Sequence, residues 1–401
     1  MNAVMKIVSK EVSIFNKKIP VVAMVWFALA LIAAVAEVAK GSINNYFIFK
    51  YVFWHVVEQL PLYVPYPAEY ADHNHYGPVF SIVIAPFAIL PDWLGCILWC
   101  LANAWILYYA IMRLKLQKPQ LYIIIAITAI EMMTAIHNVQ FNPMMAAWMI
   151  LAYVLVEEEK DFWATLFIVA GFLVKLYGIA GLLFFVFSKH KIKFIASFIF
   201  WMVVLFCLPM LISSPAYIIN SYKEWMARLV VKNNENAAGY ALAGHQDISV
   251  MGMIRRISGN GNFGNLPVLI PAAVLILAPL LRFKQYAAEK FRLSYLAIVL
   301  HAVVIFSSSA ESTTYVIAVC GSAIWYLLHY KDYPTWSNVV LVLLFLLTIL
   351  SPTDLVPGFI KDNYVRAYAL KAMPCLVIWF WLIADVSAKN FLSPEKSTTS
   401  Q

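Results

Sequence analysis

Charge is what this sequence has least of. Only 12% of its 401 residues are Asp, Glu, Lys or Arg, against about 25% in ordinary soluble domains, which excludes a soluble globular chain. It also lacks a Walker motif, a glycine-rich phosphate loop and any soluble domain to supply nucleotide energy. Its five cysteines (Cys96, Cys100, Cys207, Cys320 and Cys375) all fall in apolar runs. They imply neither a disulfide framework nor a zinc site, and read as packing residues. No internal repeat is evident, which counts against the inverted-repeat plan of many secondary transporters.

What is present is apolar length. Hydrophobic residues make up 63% of the chain, against the usual share of about 45–50%, and they are gathered into runs. The first, Pro20–Ala39, holds 20 residues, enough for a helix to cross the hydrocarbon core and longer than a signal-peptide core. Others are Pro78–Met112 (broken at "LPDW"), Leu121–Ile136, Pro143–Val156, Phe162–Phe187 (interrupted by Lys175) and Ile192–Ile212. After a polar gap come Pro267–Leu281, Leu293–Phe306, Thr314–Leu328, Val339–Leu350 and Ala372–Ala384. The pattern predicts an all-α polytopic membrane protein of about 11–13 transmembrane helices, a single integral membrane domain over residues 1–401. A β-barrel would show alternation rather than continuous apolar runs.

The net charge of +8 sits in short loops, so it reads as a topology signal rather than a nucleic-acid footprint. Lys6, Lys10, Lys17 and Lys18 predict an inside N-terminus. With Pro78–Met112 as one broken traversal, the basic loops "RLKLQK", "KHKIK" and "RFKQYAAEKFR" also fall inside. Both termini are then cytoplasmic, in a plasma membrane of bacterial type. Lys175 would split its run into two half-spans, since a charge buried mid-helix costs about 2.5–3.5 kcal/mol. The outer connections are the long ones: a first loop over residues 40–77 and a large loop over 213–266. Most of the uncommon polar residues lie on this face, and the working site is expected there.

The first loop opens with "NNYFIFKYVFWHVVEQLPLY", whose Tyr46, Phe47, Phe49, Val52, Phe53, Val56 and Val57 recur at helical spacing, as in an amphipathic helix at the membrane surface. "YPAEYADHNHYGP" follows, with Glu69, Asp72, His73, His75 and Tyr76. A carboxylate there would suit general-base work on a hydroxyl; a solvated loop and a metal site are the other readings, although "DHNH" lacks the His-x-x-x-His spacing. "HNVQFNP" sets Asn138, Gln140 and Asn142 between two apolar spans, where amides either cap helix ends or line a wet cavity. Lys175 in "LVKLYG" has an anionic phosphate as its natural partner. The large loop begins with a second amphipathic helix, "SPAYIINSYKEWMARLVV", and ends in "AGHQDISVMGMIRR". That end carries His245, Asp247, Arg255 and Arg256, and paired guanidiniums suit phosphate or a lipid headgroup. Glu311, Tyr315, Asp354, Lys361, Arg366 and Lys371 complete the outer polar set.

An enzyme on the outer face has no nucleotide sugar at hand but can use a polyprenyl-phosphate donor arriving through the bilayer. Phosphate leaves readily once neutralised, so one base plus cations suffices. The order of "LYVPYPAEYADHNHYGPVFSIVIAPFAILP", the "QFN" break, the "KLYG" break and "SVMGMIRR" resembles glycosyltransferase family 87, over roughly residues 20 to 385. The resemblance implies a multi-spanning C-type glycosyltransferase fold. It also implies transfer of a hexose, commonly mannose, from polyprenyl phosphate to a lipid or glycan acceptor, with no organic cofactor and with metal dependence left open. Relatives carry an Asp early in the first outer loop, where this chain has Asn44 and Asn45 in "SINNYF". Either the base has moved to Asp72 or Glu69, with Asp72 preferred, or the chain binds without catalysing. Lys175, Arg255 and Arg256 would hold the donor phosphate. Asn44, Asn45, His73, His75, Tyr76, Asn138, Gln140, Asn142, His245, Asp247 and Glu311 would line the cavity. A polysaccharide polymerase or ligase, and a lipid-linked-sugar transporter, are the competing classes.

Overall fold

The structure, a computed structural model, describes residues 8–14, 17–238 and 246–392. Lys6 and His245 lie outside these residues. The described chain opens with a short antiparallel hairpin that the all-α expectation did not include: β1 (Glu11–Ile14) against β2 (Lys17–Pro20), with Glu11 opposite Pro20. Helices then follow as α1 (Val21–Lys40), α2 (Asn44–Glu58), α3 (Phe80–Ala88), α4 (Asp92–Met112), α5 (Lys118–His137), α6 (Asn142–Glu157) and α7 (Asp161–Lys175). A 3-10 helix, Tyr177–Phe187, separates α7 from α8 (Lys191–Cys207), α9 (Pro215–Ala238), α10 (Val250–Ser258) and α11 (Leu266–Leu277). The remainder is α12 (Glu289–Ile305), α13 (Tyr315–His329), α14 (Pro334–Leu343), the single turn α15 (Gly358–Ile360) and α16 (Ala372–Ala388).

Four of these helices, α1, α4, α5 and Lys191–Leu211, have 20 or 21 residues and are apolar enough to cross a membrane. At 1.5 Å per residue they reach about 30 Å, the thickness of a hydrocarbon core. Shorter apolar helices run beside them, among them Asn142–Glu157, Tyr177–Phe187 and Ala372–Ala388. The chain is an all-α polytopic membrane protein. Its centre is α6, buried on every face from Asn142 to Val156, and α12 and α13 are buried almost as fully. By contrast α8 and α11 expose Ile199, Val203, Ile270 and Val274, as helices bordered by lipid should.

Two ends can be told apart by the polar groups that meet there. At one end Arg113 pairs with Glu158 (2.6 Å), Arg292 with Glu157 (2.6 Å) and Lys189 with Glu159 (2.6 Å). His137 meets Glu37 at the other (2.9 Å), Asn45 meets the Asn138 carbonyl (2.7 Å) and Lys175 meets Asn142 (2.7 Å). This second end carries the site.

The structure corrects the reading of Pro78–Met112 as one broken traversal. The short α3 folds back along α2: Phe49 meets Phe80 (ring centroids 5.2 Å apart) and the Tyr46 hydroxyl donates to the Phe87 carbonyl (2.9 Å). Lys50 then pairs with Asp92, so the "LPDW" turn sits at the site end and α4 makes the whole crossing. Pro91 starts it, its missing N–H costing nothing ahead of a helix's first turn. The split at Lys175, in contrast, is as expected. Here α7 ends, Leu176 takes a left-handed backbone (φ 55°) and the 3-10 helix leaves in a new direction.

Candidate active site

A cavity of about 280 Å³ opens at the site end, at the lower edge of the range for small-molecule sites. From α2 come Asn45 and Phe49; from the following loop come Asp72, His73, His75 and Tyr76. Gln140 enters from the α5–α6 link, Lys175 and Tyr177 from the break after α7, Lys232 and Asn233 from α9, and Ser307 and Glu311 from the loop after α12. Eight residues named from the sequence thus meet here although they come from five separate stretches of chain.

Local contacts show how the loop is held. Asn44 fixes it from below: its amide donates to the Ala71 carbonyl and its oxygen accepts the Ala71 N–H, both at 2.8 Å. Asp72 follows with φ 83°, a left-handed backbone that Asp and Asn tolerate better than most side chains. Its Oδ1 accepts the His73 N–H (2.7 Å) and its side chain remains 56% exposed, so a substrate can reach it. Gly77 closes the loop, donating its N–H to the Val174 carbonyl (3.1 Å). A Cβ there would stand 1.9 Å from the Leu173 carbonyl oxygen, so glycine is required by this close approach. The acidic loop and the Lys175 break are therefore locked together through one backbone contact.

Lys175 donates to the Asn142 side chain (2.7 Å) and lies 5.2 Å from the centre of the Tyr177 ring. Asn142 is buried and serves to aim the lysine. On the cavity's other side the ring nitrogens of His75 are buried and have no hydrogen-bond partner among the described residues. Burial, with Lys232 and Arg228 adding to it, pushes the His75 pKa down to about 3, so the imidazole is neutral at neutral pH.

Other expected residues are placed elsewhere. Glu69 pairs with His55 (2.8 Å) and does not line the cavity. Asp247 and Arg255 form a pair (2.5 Å) with both side chains 1% exposed, and Arg255 also donates to the Phe263 carbonyl (2.9 Å). That pair anchors α10, and Arg255 does not line the cavity. Burial pushes the Asp247 pKa up despite this partner. Arg256 and Asn138 line a neighbouring cavity rather than this one. Among the described residues no group of three or more His, Cys, Asp or Glu side chains could hold a metal.

The sequence reading missed Lys232, Asn233, Ser307 and Tyr177. Lys232 and Asn233 were legible in principle: they sit three and four residues past Leu229, continuing the inward face of α9 that begins with Trp225. Asn233 accepts from the Ser308 hydroxyl (2.6 Å) and Asn236 donates to the Ser308 carbonyl (3.1 Å). These bonds tie α9 to the loop that carries Glu311.

A family model, that of glycosyltransferase family 87, matches residues 74–308, more than half of the chain. The chain belongs to glycosyltransferase family 87. It is accordingly a membrane glycosyltransferase, acting on a sugar donor and an acceptor. The match takes in His75, Lys175 and α10 of this family 87 chain and begins two residues after Asp72. No curated protein matches the chain.

Proposed function

We propose that this family 87 chain moves a hexose, such as mannose, from a polyprenyl-phosphate donor to a hydroxyl of a lipid or glycan acceptor on the outer face of a bacterial plasma membrane. The observation that carries the reading is the joining of an exposed carboxylate, Asp72, to two cations, Lys175 and Lys232, in one cavity. Asp72 takes the proton of the acceptor hydroxyl as its oxygen bonds to the anomeric carbon. The bond from that carbon to the phosphate oxygen breaks, its electron pair stays on the phosphate, and Lys175 with Lys232 offsets the charge that appears. Attack opposite the leaving phosphate inverts the anomeric centre. Glu69 is the weaker base because His55 holds it outside the cavity.

The outward orientation draws its support from the basic loops: "RLKLQK" and "KHKIK" share the end opposite the site, where the positive-inside rule expects them. Transfer of labelled hexose from polyprenyl phosphate in proteoliposomes tests the whole reading. Asp72→Asn should lower kcat by about 10²–10⁴-fold, and Lys175→Met should reduce donor use, while Glu69→Gln stays near the wild-type rate. A wild-type protein that moves the intact donor across the bilayer without transferring its sugar would make it a transporter. Full activity in Asp72→Asn would remove the base assignment.

A further inference from the structure

Asp72 shares the cavity with a second carboxylate, Glu311, which has no part in the chemistry above. It sits on the loop after α12, and that loop is held at almost every residue. The Ser308 hydroxyl donates to Asn233 (2.6 Å) and the Ser308 carbonyl accepts from Asn236 (3.1 Å). The Ala310 carbonyl accepts the Ile248 N–H (2.8 Å), and the Ile248 carbonyl accepts the Tyr315 hydroxyl (2.7 Å). Lys371 donates to the Ser312 hydroxyl (3.0 Å) and the Asn142 amide to the Thr313 hydroxyl (3.4 Å). Ser312 and Thr313 face a second cavity, of about 310 Å³, beyond the first.

Glu311 is itself fixed by a capping box: its side chain accepts the Thr314 N–H, and the Thr314 hydroxyl accepts the Glu311 N–H (3.2 Å). A carboxylate accepts about four hydrogen bonds, so this one does not exhaust it. Its charge acts on Lys175 and on Tyr76 and Tyr177, which places it on the Lys175 side of the cavity. Asn142 joins the two, accepting from Lys175 (2.7 Å) through its oxygen while its amide holds Thr313. A negative charge beside the cation that receives the leaving phosphate does not help that phosphate leave. It also stands on the wrong side for a base, since attack comes from opposite the phosphate. What a rigid carboxylate can do there is accept from hydroxyls, and the group one bond from the phosphate is the sugar.

We propose that Glu311 is a sugar-selecting residue, its carboxylate accepting hydrogen bonds from hydroxyls of the transferred hexose and fixing the ring relative to Asp72. The proposal rests on the donor reading of this cavity and adds to it the group that tells one sugar from another. A site built to receive a hydroxyl rejects an analogue lacking it far more strongly than an apolar pocket does. Glu311 lies outside the matched residues 74–308, so family membership assigns it no role.

The test separates sugar from phosphate. The full chain in nanodiscs is titrated with farnesyl phosphate mannose and with farnesyl phosphate, and bound lipid is counted by native mass spectrometry. Glu311→Gln keeps an oxygen for the Thr314 N–H. It should weaken binding of the mannosyl lipid about tenfold, the loss of one charge-assisted hydrogen bond. It should bind farnesyl phosphate at least as tightly as wild type, which also shows that the variant is folded. In transfer assays with donors lacking one ring hydroxyl at a time, wild type should use one of them about tenfold less well than the parent, and Glu311→Gln should not discriminate against it. Unchanged binding of the mannosyl lipid would overturn the proposal. Equal weakening of both lipids would make Glu311 a support for Lys175, and a loss of transfer with every donor as deep as that of Asp72→Asn would make it the base; either result overturns it too. Binding is read without turnover, so a wild type that binds the mannosyl lipid but transfers nothing would remove the enzymatic reading while Glu311→Gln still decides this one.

Discussion

Asn44 stands where an acid is expected, and its contacts show what an acid there would do. Its side chain spans the Ala71 backbone, accepting from one group and donating to the other, so a carboxylate in its place would be turned toward a carbonyl oxygen instead of the cavity. Asn44→Asp should keep one bond, lose the other and add repulsion, loosening the segment that presents Asp72. Initial rates in proteoliposomes should fall about tenfold, and Asn44→Asp should restore nothing to Asp72→Asn. A double variant as fast as wild type would return the base to position 44. From sequence alone Glu69 and Asp72 could only be ranked by their nearness to the following span. What separates them is His55, fourteen residues from Glu69 and on a different element, a contact that local spacing cannot show. Arg255 and Arg256 were read together as phosphate ligands, yet adjacent positions on a helix point about 100° apart. One therefore turns to Asp247 and the other to the second cavity.

Between elements, the decisive contact is the seam where the loop after α2 meets the end of α7. Gly77 lies against Leu173 and Val174, the two residues before Lys175, so the spacing of Asp72, the proposed base, from Lys175 is set by backbone. Gly77→Ala must push the loop off α7. Destabilisation of about 1–3 kcal/mol is expected, as for overpacking, with a fall in kcat larger than the loss of folded protein explains. Thermal midpoints and turnover per folded molecule measure the two; an unchanged midpoint with normal turnover would show that the seam yields freely. The break at Lys175 was legible because a charge inside an apolar run is costly enough to force one. The fold-back of α3 on α2 was not, because "LPDW" fits either a kink or a reversal. The choice was made by Tyr46, Phe49 and Lys50, which meet Phe87, Phe80 and Asp92 across some forty residues of chain.

At the scale of the whole molecule the two ends are organised separately. At the site end amide contacts and ion pairs such as Asp247–Arg255 and Lys371–Glu131 surround two cavities, and at the opposite end Arg113–Glu158 and Arg292–Glu157 tie helix ends together. The chain's basic loops made that polarity readable before any contact was known, and alternation of apolar runs set the succession of helices. The convergence of separate loops on the chamber that holds Asp72 and Lys175 depended on tertiary packing and was not readable. The division predicts that stability and catalysis can be altered separately. Arg292 grips Glu157 with two hydrogen bonds, at 2.6 and 2.7 Å, joining the end of α6 to the start of α12, and the Glu157 side chain is only 7% exposed. Arg292→Met leaves that carboxylate without its partner, at a cost of about 3 kcal/mol, so the thermal midpoint should drop clearly. Because α6 carries no charge between the staple and Asn142, kcat and donor KM of the protein still folded should stay at wild-type values. Adding Glu157→Gln should recover much of the lost midpoint by removing the stranded charge. A large change in kcat with an unaltered midpoint would mean instead that the opposite end is coupled to the site through the buried length of α6.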